Sequence, residues 1–260
     1  MSQNNTFVMF GLKFHSLKKD SALDIIENYI NFPQKPRMIF TPTAELIVRA
    51  NEEEMLREVY NSCDILTIDS FVVYYFAKLL RKPAPEPVNA ARLMLSFLPV
   101  AHKRGYKIYL LGAREDVLRR VVDNLRKQYP GINIVGWHNG YFDFDNDYEI
   151  VKDIREKKPD ILFVAMSSPL KEKFVSKNLN QMNVPVSIGV GGTFDIIAGK
   201  CKLAPKWISR LGLEWFYRLI QEPKRLWRRY LVTNMKFLFL FLKEFIKPKG
   251  GFNGGVQKLL

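Results

Sequence analysis

The 260-residue chain has little of what metal, redox and nucleotide-cofactor chemistry uses. It contains 2 cysteines and 3 histidines. Cys63 and Cys201 are too few for a disulfide framework and fit a reduced, cytoplasmic compartment. His15, His102 and His138 lie far apart, and no Cys/His grouping has zinc spacing, so no metal is expected. There is no Gly-x-x-x-x-Gly-Lys-Ser/Thr loop and no Gly-x-Gly-x-x-Gly run, so the P-loop and dinucleotide signatures are missing and no cofactor is expected. The first residues, Met1-Ser-Gln-Asn-Asn-Thr, lack the basic segment and apolar run of a signal peptide. The apolar run Phe237-Leu-Phe-Leu-Phe-Leu242 is far shorter than the ~20 residues that span a bilayer. No internal repeat is present.

Acidic residues are scarce at one end. From residue 200 onward 14 Lys/Arg face 3 Asp/Glu, a net of +11 out of +14 for the whole chain. Such asymmetry points to an anionic partner at that end. Read as a helix, the tail puts Trp227, Leu231, Met235, Leu238, Leu242 and Phe245 on one face and Arg228, Arg229, Lys236, Lys243 and Lys247 on another. Two readings follow. The helix lies on an anionic membrane surface, or it packs its apolar side on the protein's own core. Nucleic acid is not the expected partner, because an apolar face suits lipid better. The glycine-rich end, residues 248–260, reads as disordered.

The rest alternates short apolar runs with helical patterns. Strands are expected at 38–40, 65–68, 107–111, 132–135, 161–165 and 186–190, and helices at 44–60, 72–80, 115–129 and 171–180. β-branched strands alternating with helices define an α/β class, here a Rossmann-like parallel sheet flanked by helices over residues 1–200, with a basic amphipathic helical appendage over 201–247. Ligands of such sheets bind beyond the carboxyl ends of the strands. At those ends stand Thr41, Thr43, Asp69, Lys171, Glu172, Gly191, Gly192 and Asp195. Gly191 and Gly192 could bring backbone N–H groups to a phosphate or simply make a tight turn. Asp69 could be a general base or a helix N-cap. Asp143, Asp145 and Asp147 lack the glycine and distal glutamate of a calcium loop and read as a turn.

The order of motifs resembles the WecG/TagA/CpsF family of bacterial glycosyltransferases. The matching segments are Asp64-Ile-Leu-Thr-Ile-Asp69, Gly140-Tyr-Phe142, Lys158-Pro-Asp160, Ser168-Pro-Leu-Lys-Glu172, Gly189-Val-Gly-Gly-Thr-Phe-Asp195, Ala198-Gly199, Ala204-Pro-Lys-Trp207, Leu211-Gly-Leu-Glu-Trp215 and Glu222-Pro-Lys-Arg-Leu-Trp-Arg-Arg-Tyr230. The resemblance implies an inverting transfer of an N-acetylmannosamine-type sugar from a UDP donor to a polyprenyl-diphosphate-linked acceptor, at the inner face of the membrane. It implies Asp69 as the base, Thr41 and Thr43 at the first strand end, and Arg218, Arg225 and Arg228 as the essential tail arginines. A homo-oligomer is left open.

This chain departs from that pattern at several points. Ser70 stands in place of Gly, Thr43 in place of Asn, and Lys171 in place of Gln. Pro87-Val-Asn-Ala-Ala-Arg-Leu93 replaces Arg-Val-x-Gly-x-Asp-Leu, so Arg92 occupies the place of an acid. Because Asp69 and the tail arginines remain, an active enzyme with altered substrate loops is expected. The alternative is a catalytically silent relative that binds glycolipid or scaffolds a membrane assembly complex.

Overall fold

The computed structural model describes residues 6–246. The calls on Lys247 and on the tail 248–260 therefore lie outside the described residues, as does the side chain of Arg225. The strands are β1 (Thr6–Met9), β2 (Leu12–His15), β3 (Arg37–Phe40), β4 (Ile65–Leu66), β5 (Ile108–Gly112), β6 (Ile134–His138), β7 (Ile161–Ala165) and β8 (Val186–Gly189). The helices are α1 (Lys19–Asn31), α2 (Ala44–Glu52), α3 (Glu54–Ser62), α4 (Phe71–Leu79), α5 (Ala90–Arg104), α6 (Glu115–Gln128), α7 (Tyr148–Lys157), α8 (Leu170–Met182), α9 (Thr193–Ile197), α10 (Lys206–Arg210), α11 (Glu214–Gln221) and α12 (Pro223–Ile246).

Six strands form one parallel sheet in the order β4-β3-β8-β7-β5-β6. Side chains alternate between its faces with the two-residue period of a strand. Met38 and Phe40 join the layer of α2, α3, α7 and α8, while Ile39 joins that of α1, α5 and α6. Leu162 and Val164 oppose Ile161 and Phe163 in the same way. Both faces are thus covered, which is why these strands read as apolar runs without polar alternation.

Several elements differ from the sequence expectation. The helix expected over 44–60 breaks at Glu53, which adopts an extended backbone and separates α2 from α3. The strand expected at 65–68 pairs over Ile65–Leu66 only, and β6 begins two residues later than expected. The N-terminal β1–β2 hairpin, α1, α5 and α7 had no sequence assignment. The hairpin turns at Phe10-Gly11, both at positive φ, the backbone that matches the twist of a two-residue turn.

The appendage is docked. Phe237 and Phe241 of α12 are buried in the core layer, where Phe237 packs edge-on against Phe10 and Phe76. Each such buried aromatic is worth roughly 1.5–3 kcal/mol. The face picked out from periodicity is not the docked one. Trp227, Leu231, Met235, Leu238, Leu242 and Phe245 are all exposed, so α12 has a second, free apolar side.

Candidate active site

A cleft of about 1000 Å³ opens at the carboxyl ends of β3, β4, β7 and β8 and is closed over by α11 and α12. Thr41, Thr43, Asp69, Lys171, Gly191, Gly192, Asp195 and Arg218 all line it, as do Asn89, Glu214 and Arg229.

Asp69 ends the loop after β4. That loop is pinned to the start of α5, where Thr67 Oγ1 donates to the Val88 carbonyl and Val88 N donates to Ile68 O. The pinning brings three donors to one carboxylate oxygen: Thr41 Oγ1 at 3.2 Å, Asn89 Nδ2 at 3.2 Å and Ala90 N at 3.4 Å. Asp69 does not cap α4, whose N-cap is Ser70. The carboxyl is buried, and its pKa is pushed up to about 7, first by loss of water and then by the charge of Glu214. The Ala90 and Thr41 hydrogen bonds and Arg218 pull the other way. An acid that titrates near neutrality and faces a cleft is matched to general-base work.

Arg218 and Glu214 stand one turn apart on α11, on the same side of the helix. Nε of Arg218 is buried without a hydrogen-bond partner among the described residues. Its guanidinium lies against Gly192, the residue preceding α9. Gly191 before it takes a positive φ.

Lys171 and Glu172, at the start of α8, form a buried ion pair at 2.6 Å. Ser168 Oγ donates to Glu172 Oε1 at 2.9 Å, and Tyr60 OH donates to the same oxygen at 2.8 Å. Lys171 also donates to Ser168 Oγ, and Arg49 Nη1 donates to the Ser168 carbonyl at 2.9 Å. Lys171 reaches the cleft, whereas Glu172 lies beneath it as the lysine's anchor. Thr43 caps α2 through Leu46 N and is exposed at the cleft edge.

The structure does not bring every candidate to this place. Arg228 is exposed, with its guanidinium over the Trp227 ring, and it is not among the cleft-lining residues. Arg229, one residue on, lines the cleft and pairs with Glu45 at 3.1 Å. Glu214 was present in the motif Leu211-Gly-Leu-Glu-Trp215, but sequence reasoning gave it no role. Among the described residues no group of three His, Cys, Asp or Glu side chains could hold a metal. Asp147 is instead bound to Lys177 and Asn178, and Asp143 accepts from Asp145 N in a local turn.

A buried carboxyl and several cations at the carboxyl edge of a parallel sheet are arranged as α/β enzymes arrange their ligand sites. Comparison with known proteins makes this specific. Residues 7–251 match the glycosyl transferase WecG/TagA/CpsF family, and the chain belongs to that family of glycosyltransferases. It is similar to an N-acetylglucosaminyldiphosphoundecaprenol N-acetyl-beta-D-mannosaminyltransferase of Bacillus subtilis (strain 168), 33% identical over 224 residues, covering 86% of each chain. A protein of the same name from Staphylococcus aureus (strain MW2) is 31% identical over 233 residues, covering 88% of this chain and 89% of that one.

Proposed function

We propose that this chain transfers an N-acetylmannosamine-type sugar from a UDP donor to N-acetylglucosamine carried on a polyprenyl diphosphate, with inversion, in cell-surface polysaccharide or teichoic acid synthesis. The observation that carries the reading is Asp69, a buried carboxyl pushed up to about 7 and held by three donors in a cleft that also presents Arg218.

In the step proposed, Asp69 takes the proton of the acceptor hydroxyl as its oxygen bonds to the anomeric carbon. The bond from that carbon to the diphosphate oxygen breaks on the opposite face, and UDP leaves with the electron pair. Arg218, whose Nε has no partner among the described residues, receives the diphosphate, helped by Arg229 and Lys171. These cations offset the leaving group's charge, so no metal or cofactor is assigned. Arg225 and Arg228 are assigned to the same anionic region on the family pattern alone.

No described helix is long and apolar enough to cross a membrane. The free apolar side of α12, with Arg228, Lys236 and Lys243 beside it, fits the anionic inner surface of the cell membrane, where a polyprenyl-linked acceptor resides. The division into a catalytic part, 1–200, and a membrane-facing part, 201–247, is therefore one of function.

The test is direct. The full-length protein is incubated with UDP-N-acetylmannosamine and N-acetylglucosaminyl-diphospho-undecaprenol, and the disaccharide lipid and released UDP are measured. Formation of both supports the reading. Tight UDP binding with no transfer from any UDP-sugar would favour the silent glycolipid-binding alternative.

A further inference from the structure

Asp69 shares the cleft with Glu45, Asp195 and Glu214, and the reaction above leaves the role of Glu214 unassigned. Glu214 opens α11, and its charge acts on Asp69. Like-charged carboxylates at one site disfavour each other's ionised forms, so such a pair persists only where neighbouring groups hold it.

Those groups are present. Arg92, on α5, sends Nη2 to Ser209 Oγ at 2.9 Å and to the Ala204 carbonyl at 3.0 Å. Ser209 is buried on α10, shortly before the cleft-lining Glu214 of α11, and its hydroxyl favours the charged form of Glu214. The order is therefore guanidinium, hydroxyl, carboxylate. The hydroxyl oxygen accepts from Arg92 and its proton is free to be donated to Glu214. The charged groups acting on Glu214 are Arg92 first and then Arg218. Those acting on Asp69 are Glu214 and Arg218.

We propose that Glu214 is a positioning residue for the transfer reaction, held within electrostatic reach of Asp69 by Arg92 through Ser209. The α10–α11 segment then carries both the group that restrains the base and, in Arg218, the group that offsets that restraint. Arg92 is thereby given a task in this chain. It ties the first turn of α5, which presents Ala90 N to Asp69, to the segment that covers the cleft. This inference rests on the reading of Asp69 as the base, but its main measurement does not depend on transfer.

The experiment follows the carboxyl of Asp69 by carbon-13 NMR in the unliganded full-length protein across pH 5 to 9, assigned by its loss in Asp69→Asn. The pH profile of kcat/KM is measured in parallel with the UDP-sugar and lipid-linked acceptor. Glu214→Gln removes the like charge and keeps the shape, so Asp69 titration and the acid limb should both move to lower pH, by on the order of one unit. Arg92→Met removes the group that holds Glu214 ionised and in reach of Asp69, so both should move to lower pH, in the direction of Glu214→Gln. In the Glu214→Gln background the Arg92→Met shift should largely disappear, because Arg92 acts through Glu214. Arg92→Lys should restore part of the wild-type position.

An Asp69 titration that stays put in Glu214→Gln overturns the proposal, as does an Arg92 shift of full size in the double variant. If Glu214→Gln does not fold, as read by thermal melting, Ser209→Ala takes its place. It breaks the link while leaving both charges, and an unchanged Asp69 titration there again overturns the proposal. Should Asp69 shift as expected in NMR while no transfer is seen with any donor, the positioning stands and the proposed function fails.

Discussion

Arg218 occupies the space into which a side chain on Gly192 would grow: a Cβ built at Gly192 would sit 2.5 Å from Arg218 Nη2. Gly192 has an ordinary backbone, φ −75 and ψ 13, so the position is glycine for room and not for conformation. Gly192→Ala should therefore fold with little change in melting temperature, since the end of a flexible arginine can move. It should weaken UDP binding by about tenfold, the size of one charge-assisted hydrogen bond. Isothermal titration with UDP, beside a melting curve, checks both halves.

Asp69→Asn should lower turnover by roughly 100-fold or more while UDP binding persists, because the amide keeps the shape and loses the basicity. Stability should respond in the opposite sense. The folded carboxyl titrates at about 7 against an ordinary value of 3.8, so the folded state takes up the proton first. Wild-type stability therefore falls as pH rises from 3.8 to about 7, by at most roughly 4 kcal/mol. The variant lacks this loss and should gain on the wild type between pH 5 and pH 8. Urea unfolding at the two pH values measures the difference.

Glu172→Ala should be severely destabilising. It strips the buried Lys171 of its counter-charge and leaves Tyr60 and Ser168 without their acceptor. Removing one member of a buried ion pair costs roughly 3–5 kcal/mol. A denaturant midpoint close to that of the wild type would show that Lys171 finds water or another partner instead.

Two sides of α12 should separate in mutagenesis. Phe239 and Leu242 are exposed, so changing both to Glu should leave the fold intact and abolish binding to anionic vesicles. Phe237 is buried against Phe10 and Phe76, so Phe237→Ala should cost about 3–5 kcal/mol of stability. Vesicle flotation and thermal melting, run on both variants, distinguish the two.

Transfer should proceed in EDTA at its full rate, because Arg218, Arg229 and Lys171 supply positive charge to the diphosphate. Loss of activity in EDTA with recovery on adding Mg²⁺ or Mn²⁺ would contradict this assignment.

The sheet was legible because its strands are buried on both faces, so Lys107-Ile-Tyr-Leu-Leu111 or Ile161-Leu-Phe-Val-Ala165 stand out as apolar runs. Asp69 was legible because it ends such a run. The break at Glu53 was not, since nothing in the acidic run Glu52-Glu-Glu54 forbids helix continuing. The phase of α12 was also hidden. A helix with two apolar sides gives no sign of which one docks, and Phe237 and Phe241 decided it. That choice turns Arg229 toward the cleft and Arg228 toward solvent, two neighbours separated by about 100° on a helix. Glu214 was not legible, because Arg92, which reaches Ser209 beside it, is distant in sequence.

The free side of α12 also governs how the protein behaves away from lipid. A row of exposed Trp227, Leu231, Leu238, Leu242 and Phe245 meets water in any aqueous preparation, and apolar surface in water seeks cover. With no bilayer to supply it, the nearest cover is the same row on another molecule. Self-association in buffer would then reflect an unmet surface and not a designed assembly, and it should dissolve when mild detergent or anionic vesicles are added. The number of chains per particle becomes a property of the surroundings as much as of the chain.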